Sequence, residues 1–212
     1  MPRRGRIALK TVVWAACLTP LASLVWWYWT DRLGANPISL VTNTLGDWTL
    51  RWLLTCLALT PLRILTGWGW PVTLRRLLGL FAFSYACLHF SVWIVLDHFF
   101  DWAEMGTDIV KRPYITVGVA ALTLLVPLAL TSTTGMIRRL GARGWKRLHR
   151  LVYVTATLGV LHYIWLAKKV LLDPWIYAAV LVVLLGIRAW DAGRRLGRRR
   201  AAASSVHRAV GI

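Results

Sequence analysis

The stretch LRRLLGLFAFSYACLHFSVWIVLD, residues 74–97, decides the fold of this chain. Arg75 and Arg76 lie at its start and Asp97 at its end, and the apolar run between them contains one histidine, His89. A helix needs about 20 predominantly apolar residues to cross the hydrocarbon core of a bilayer. The stretch therefore predicts a membrane-spanning helix that carries a histidine at membrane depth.

Other apolar stretches of spanning length lie on both sides of it. Together they predict six spans, at residues 11–29, 46–65, 74–97, 114–132, 149–167 and 174–190. The connections are short, and none is long enough for a separate soluble nucleotide-binding domain. We predict an all-α, polytopic membrane bundle of six transmembrane helices over residues 1–193. A basic tail, residues 194–212, follows, and we expect it to be mobile.

The composition agrees with a membrane protein. Of the 212 residues, 58% are hydrophobic and 16% are charged, and the mean hydropathy is +0.57. A soluble domain would have about a quarter of its residues charged. An ordinary soluble enzyme and a disordered chain are therefore excluded. The three cysteines lie singly in apolar runs, so the sequence predicts neither a disulfide framework nor a thiolate metal site.

The positive charges cluster in alternate connections of the chain. The net charge is +18, and most Lys and Arg residues lie in segments 1–10, 61–76, 135–150 and 188–212, whereas nearly all acids lie in the alternate connections. The positive-inside rule then places both termini in the cytoplasm. Anionic lipid is the expected partner of these charges. Because they are spread over four short segments rather than one face, we expect no nucleic-acid binding.

Two histidines have the same predicted depth in spans that run in the same direction. His89 follows Leu74 by 15 residues, and His162 follows His149 by 13. At 1.5 Å per residue, both lie roughly 20 Å from the Lys/Arg-rich side. Two neutral imidazoles at one depth can bind the two axial positions of a haem iron. Each histidine alone would equally suit a hydrogen bond between helices, but the matched depth favours haem ligation.

The Lys/Arg-rich end carries further candidates. Arg75 precedes His89 by nearly four helical turns, so both lie on one helix face, and Arg75 has the predicted depth of His149. We expect Arg75, with its neighbour Arg76, to hold an anionic or polarised group: a haem propionate, a flavin phosphate or a quinone carbonyl. The alternative, favoured for Arg76, is an anchor among lipid phosphates. His98 is about half a turn out of phase with His89, and we expect it to face solvent.

Five stretches together resemble the MsrQ family, also called YedZ, within the wider ferric-reductase-like transmembrane group. They are LGDWTLRWLLTCLALTPLR (45–63), RRLLGLFAFSYACLH (75–89), KRPYITVG (111–118), PLALTSTTGMIRRLG (127–141) and WKRLHRLVYVTATLGVLHY (145–163).

The resemblance implies a cytochrome b subunit in the bacterial inner membrane. It implies haem b bound by His89, His149 and His162, and an associated flavin, FMN. Electrons would come from the quinone pool and pass to MsrP, a periplasmic molybdopterin enzyme that reduces methionine sulfoxide in damaged proteins. The chain would then be an electron-transfer subunit, with substrate reduction in its partner.

The sequence departs from the wider ferric-reductase group at the second haem. That group stacks two haems between two helices that each carry two histidines about four turns apart. Here Arg75 stands four turns before His89, and His149 and His162 are about 140° out of phase on an ideal helix. His149 could ligate a second haem with a different partner, or the inner position could be a flavin or quinone site.

Two other functions remain open from the sequence. One is a self-contained transmembrane ferric or quinone reductase, which would need a nucleotide-flavin domain or an external acceptor site. The other is a non-redox transporter or assembly scaffold. Transport would favour paired intramembrane charges or broken helices near the midplane, and none stands out in this sequence.

Overall fold

A computed structural model describes residues 3–167 and 172–209, and these residues form helices and short connections without a strand. Eight α-helices follow in chain order. They are α1 (Arg3–Trp29), α2 (Pro37–Thr66), α3 (Arg75–Val92), α4 (Trp102–Lys111), α5 (Pro113–Leu130), α6 (Thr134–Leu148), α7 (Leu151–Leu166) and α8 (Leu172–Ala209). A 3₁₀ turn, Trp70–Leu74, leads into α3, and a π-helical turn, Trp93–Asp97, follows it. The all-α prediction is confirmed.

Four helical segments are long and apolar enough to cross a membrane. They are Arg4–Trp29, Trp70–Asp97, Pro113–Leu130 and Leu172–Arg198. The other two predicted spans correspond to α7, which is apolar but has 16 residues, and α2. Helix α2 has 30 residues, but charged side chains such as Asp47 and Arg51 interrupt its apolar sequence. Six spans and cytoplasmic termini therefore stay predictions.

The core is built around α2. Helix α2 packs most extensively on α3, and α5 packs most extensively on α7, so the bundle contains two closely packed helix pairs. Leucines of α2 meet small residues of α3 and α7 and leucines of α5 and α8 in one buried cluster. Its members are Leu50, Leu53, Leu54, Leu57, Ala82, Ala86, Leu125, Ala156, Val160, Leu181 and Leu184. Alanines at the contacts let the helix backbones approach closely, as membrane helices require.

Helix α1 packs on the outside of the α2–α3 pair. Tyr85 of α3 is fully buried there and donates a hydrogen bond of 2.7 Å from its hydroxyl to the carbonyl oxygen of Cys17. The three cysteines, Cys17, Cys56 and Cys87, have free thiols in the described part of the chain.

Two short helices, α4 and α6, lie where the sequence predicts only connections. Asp101 is the N-cap of α4, and its side chain accepts hydrogen bonds from the backbone N–H groups of Ala103 and Glu104. Helix α6 begins at Thr133, whose hydroxyl accepts from the N–H of Met136, and it is kinked at Gly141. At the end of the chain, α8 passes residue 193 without a break and continues to Ala209. The division into a domain and a tail stays a prediction, and residues 210–212 lie outside the described part.

Candidate haem-binding site

His89 of α3 and His162 of α7 meet inside the bundle. Their ring centres are 6.3 Å apart, and their ring planes stand at 81° to each other. Imidazole nitrogens bind first-row metals at about 2 Å, so one ion between two axial imidazoles holds the ring centres roughly 6 Å apart. The spacing of the two rings therefore fits a single iron between them.

Each of these rings is oriented by a backbone carbonyl on a neighbouring helix. Nδ1 of His89 lies 2.9 Å from the carbonyl oxygen of Thr42 on α2, and Nδ1 of His162 lies 2.6 Å from that of Tyr114 on α5. A carbonyl oxygen only accepts, so Nδ1 donates in both contacts and carries the proton. Nε2 then keeps its lone pair. A hydrogen bond from the other ring nitrogen to a carbonyl oxygen is the usual way in which proteins orient a metal-ligating histidine.

A glycine one turn further along each neighbouring helix leaves room for the ring. A Cβ atom at Gly46 of α2 would lie 3.1 Å from Cε1 of His89. A Cβ atom at Gly118 of α5 would lie 2.8 Å from Nδ1 of His162. The helix pairs α2–α3 and α5–α7 thus use the same device, a carbonyl followed four residues later by a glycine, to hold an imidazole.

His149 lies in the turn between α6 and α7, at the end of the bundle where α3 begins. Its Nδ1 is 3.1 Å from the carbonyl oxygen of Trp145, and its ring stacks on the Trp145 ring at a centroid distance of 3.8 Å. The Trp145 indole is held in turn by a hydrogen bond of 3.0 Å to the carbonyl oxygen of Thr131. Nε2 of His149 is buried without a hydrogen-bond partner. The backbone of Leu128 on α5 also interacts with this ring, so a third half-buried imidazole is held at this end of the bundle.

The two candidate arginines have different surroundings. Arg75 is half-buried at the first position of α3, its guanidinium contacts the hydroxyl of Thr60, and its Nε is buried without a partner. Arg76 is exposed. The structure therefore brings Arg75 into the bundle and leaves Arg76 at its surface, the position of a lipid anchor.

A third arginine, Arg188 of α8, completes this end of the bundle. Its guanidinium donates to the hydroxyl of Tyr153 at 2.7 Å and to the carbonyl oxygen of Leu57 at 2.6 Å. In the sequence, Arg188 belongs to the Lys/Arg-rich segment 188–212, which predicts a position at the cytoplasmic surface. The available signal was its position directly after the apolar run 174–187, one turn before the next charge.

The expectation for His98 is wrong. His98 is 9% exposed, and its Nε2 lies 3.3 Å from Oδ2 of Asp108, which also pairs with Arg112 at 3.2 Å. The cause is the chain path after α3. The π-helical turn and two residues with positive φ, Phe99 and Phe100, bend the backbone so that α4 comes back beside it. The α-helix ends at Val92, so the direction of His98 no longer follows from the helical phase of His89.

Comparisons with known proteins point to one family. Residues 45–160 match the family described as "Ferric reductase like transmembrane component". A relative from Herminiimonas arsenicoxydans is 50% identical over 93% of this chain and 91% of its own length. One from Rhodospirillum rubrum is 54% identical over 94% of both chains. Another, from Ralstonia nicotianae, is 51% identical over 90% of this chain and 88% of its own length. All three are named protein-methionine-sulfoxide reductase heme-binding subunit MsrQ.

Proposed function

The chain belongs to the MsrQ family of haem-binding subunits, within the ferric-reductase-like transmembrane group, and we propose that it is a membrane cytochrome b that passes electrons to a periplasmic methionine sulfoxide reductase. The observation that carries the proposal is the facing pair of imidazoles, His89 and His162, each with Nδ1 bound to a backbone carbonyl. His89 and His162 would hold the iron of one haem b through Nε2. Haem supplies a centre that takes up and releases one electron at a time.

The protein's contribution is ligation and orientation. The carbonyls of Thr42 and Tyr114 fix the tautomer and the direction of each ring, and they strengthen the ligand by accepting its Nδ1–H. Gly46 and Gly118 let the backbones of α2 and α5 pass close to the rings. These contacts fix the positions of both rings, so His89 and His162 would hold a haem iron as preset ligands.

The electron route is part of the same proposal. Under the predicted topology, His89 and His162 lie toward the periplasm, where the partner MsrP is expected. Arg75 and His149 lie at the opposite, cytoplasmic end. We place electron uptake there, from the quinone pool or from reduced FMN, with His149 either ligating a second haem or contacting the donor. Multi-pass insertion in the bacterial inner membrane follows from this route.

Electron delivery tests the function. The full chain, reconstituted with the periplasmic reductase and a quinol or reduced-flavin donor, should support reduction of methionine sulfoxide. His162→Ala should abolish delivery because it removes one of the two histidines that would hold the iron, whereas His98→Gln should keep it, because His98 bonds Asp108 away from that pair. Equal delivery by wild type and His162→Ala would refute the proposal. Ferric or quinone reduction without any partner would favour the self-contained reductase instead.

The uptake side has its own test. Arg75→Ala should keep the haem spectrum of the His89–His162 pair, because Arg75 lies about four turns from His89, but it should be reduced more slowly by the donor. His149→Ala should slow the same step. Wild-type reduction rates in both variants, with quinol and with reduced flavin, would show that these residues are interface anchors only.

A further inference from the structure

Two guanidinium groups converge at the end of the bundle where α3 begins. Arg188 reaches from α8 between α7 and α2, where it donates to Tyr153 and to the carbonyl of Leu57 and lies 5.2 Å from the centre of the Tyr153 ring. Arg75 reaches from α3 to Thr60, one turn further along α2 than Leu57. Leu57 and Thr60 are three residues, about one turn, apart on α2, so the two guanidinium groups bind adjacent turns of one helix. The two side chains are therefore neighbours that repel each other.

Within the part of the chain that the structure describes, neither arginine has an acidic partner. The ion pairs that the described residues form involve Arg51, His98, Arg112 and Arg195, and none includes Arg75 or Arg188. The acid closest to Arg188 in sequence, Asp191, pairs with Arg195 at 2.8 Å. Both arginines are half-buried, and withdrawing a charge from water without a counter-charge costs free energy unless something compensates it. Two such charges side by side indicate that the compensating group comes from outside the chain.

The unpaired N–H groups of the two arginines support the same conclusion. Nε of Arg75 and Nε of Arg188 are both buried, and neither has a hydrogen-bond partner. Arg75 is held through one terminal nitrogen by Thr60, and Arg188 through both of its terminal nitrogens by Tyr153 and the carbonyl of Leu57, so each guanidinium is fixed while its Nε–H has no partner. Buried polar groups in proteins are almost always satisfied. Guanidinium N–H groups match the oxygen atoms of carboxylates and phosphates in particular.

We propose that Arg75 and Arg188 together form a binding site for the carboxylate or phosphate group of a redox-active small molecule. His149 belongs to the same site, because Tyr153, which holds Arg188, lies one turn after His149 at the start of α7. The buried Nε2 of His149 would face the redox-active part of that molecule while the arginines hold its anionic part. This inference rests on the proposed function only in assuming that a redox cofactor binds in the bundle. It extends the site to a residue of α8 that no motif identified.

Pairs of probes that differ only in the anionic group test the proposal. The purified full chain in nanodiscs of zwitterionic lipid is titrated with FMN and with riboflavin, and separately the haem-free chain is titrated with haem and with haem dimethyl ester. Wild type should prefer the anionic member of at least one pair by about tenfold, the effect of a charge-assisted hydrogen-bonded contact. The FMN pair reports a phosphate, and the haem pair reports a propionate.

Variants assign the preference to the arginines. Arg188→Ala and Arg75→Ala should each remove the preference for the anionic probe, and Arg188→Lys should keep part of it, because Lys retains the charge but loses the planar fork. Tyr153→Phe, which removes only a hydroxyl, provides a milder variant if Arg188→Ala does not fold, and it should weaken the preference. Arg194→Ala is the matched control, since Arg194 is exposed on the same helix and stacks on Trp190.

Two results would overturn the proposal. One is a wild-type protein that binds both members of both pairs equally, which would leave lipid phosphates as the partners of the arginines. The other is a preference that survives in Arg75→Ala and Arg188→Ala. Failure of the proposed function has a different signature, namely the absence of a haem spectrum that depends on His89 and His162.

Discussion

At the scale of single residues, counting along the sequence could predict part of the site. The arithmetic of helical rise predicts one depth for His89 and His162, and their rings lie 6.3 Å apart in the structure. The roles of Gly46, Gly118 and Arg188 could not be predicted in this way. A glycine in an apolar run does not reveal which side chain of another helix it touches, because helix pairing and rotation are set by tertiary packing.

The glycine contacts lead to a prediction. Gly118→Ala should disturb the bundle because its Cβ would lie 2.8 Å from Nδ1 of His162, closer than real Cβ contacts. Overpacking of this kind costs about 1–3 kcal/mol, and the ring must turn away from the Tyr114 carbonyl. We expect a lower thermal midpoint and a shifted haem spectrum.

Alanine substitutions at two other glycines provide a comparison for the effect of Gly118→Ala. Gly46→Ala should act in the same direction but less strongly, because its closest contact is 3.1 Å. Gly186→Ala is the matched control, since no atom lies within 4 Å of its Cβ position. The contact account fails if Gly118→Ala has the spectrum and stability of Gly186→Ala.

At the scale of helices, the sequence identified the apolar spans but not all boundaries. The second predicted span starts at residue 46, whereas α2 starts at Pro37 behind the N-cap Asn36, whose side chain accepts from the N–H of Ser39. Asn followed by Pro is a helix-start signal, but hydropathy does not detect it. Helix α4 was missed for the same reason, although Asp101 and Glu104 have the spacing of a capping box.

The position of α4 depends on one buried carboxylate, and this leads to a second prediction. Asp108→Asn removes the charge that binds His98 and Arg112, which should cost about 1–3 kcal/mol locally. Hydrogen–deuterium exchange in residues 102–111 should rise while the haem spectrum stays unchanged. Glu104→Gln, a change of an exposed acid on the same helix, serves as the control. Unchanged exchange in Asp108→Asn would show that apolar contacts alone hold α4.

At the scale of the whole molecule, two helix pairs present their histidines to each other in the same way. The α2–α3 pair holds His89, and the α5–α7 pair holds His162, each through a carbonyl and a glycine of the partner helix. The sequence could predict the all-helical class from its apolar runs. It could not predict this duplicated arrangement, because the two pairs share a geometry of contacts rather than a visible repeat of residues.

The orientation of this arrangement in the membrane is a third prediction. Reporter fusions after Arg200 should be cytoplasmic, and fusions near Asp31, Asp101 and Asp173 should be periplasmic. The reason is that segments rich in Lys and Arg stay in the cytoplasm, and the segment that contains Arg200 is one of them. A periplasmic signal from the fusion after Arg200 would invert the bundle, and it would place Arg75 and His149 on the wrong side for electron uptake.

The most direct test of the central claim is the haem content and the reduced-minus-oxidised visible spectrum of purified His89→Ala and His162→Ala, measured beside wild type and His98→Gln. If His89 and His162 are the axial pair of one haem b, wild type and His98→Gln show the same low-spin spectrum, and each alanine variant loses that haem or most of it. Wild-type haem content and spectra in both alanine variants would contradict the account, because they would place the iron on other ligands.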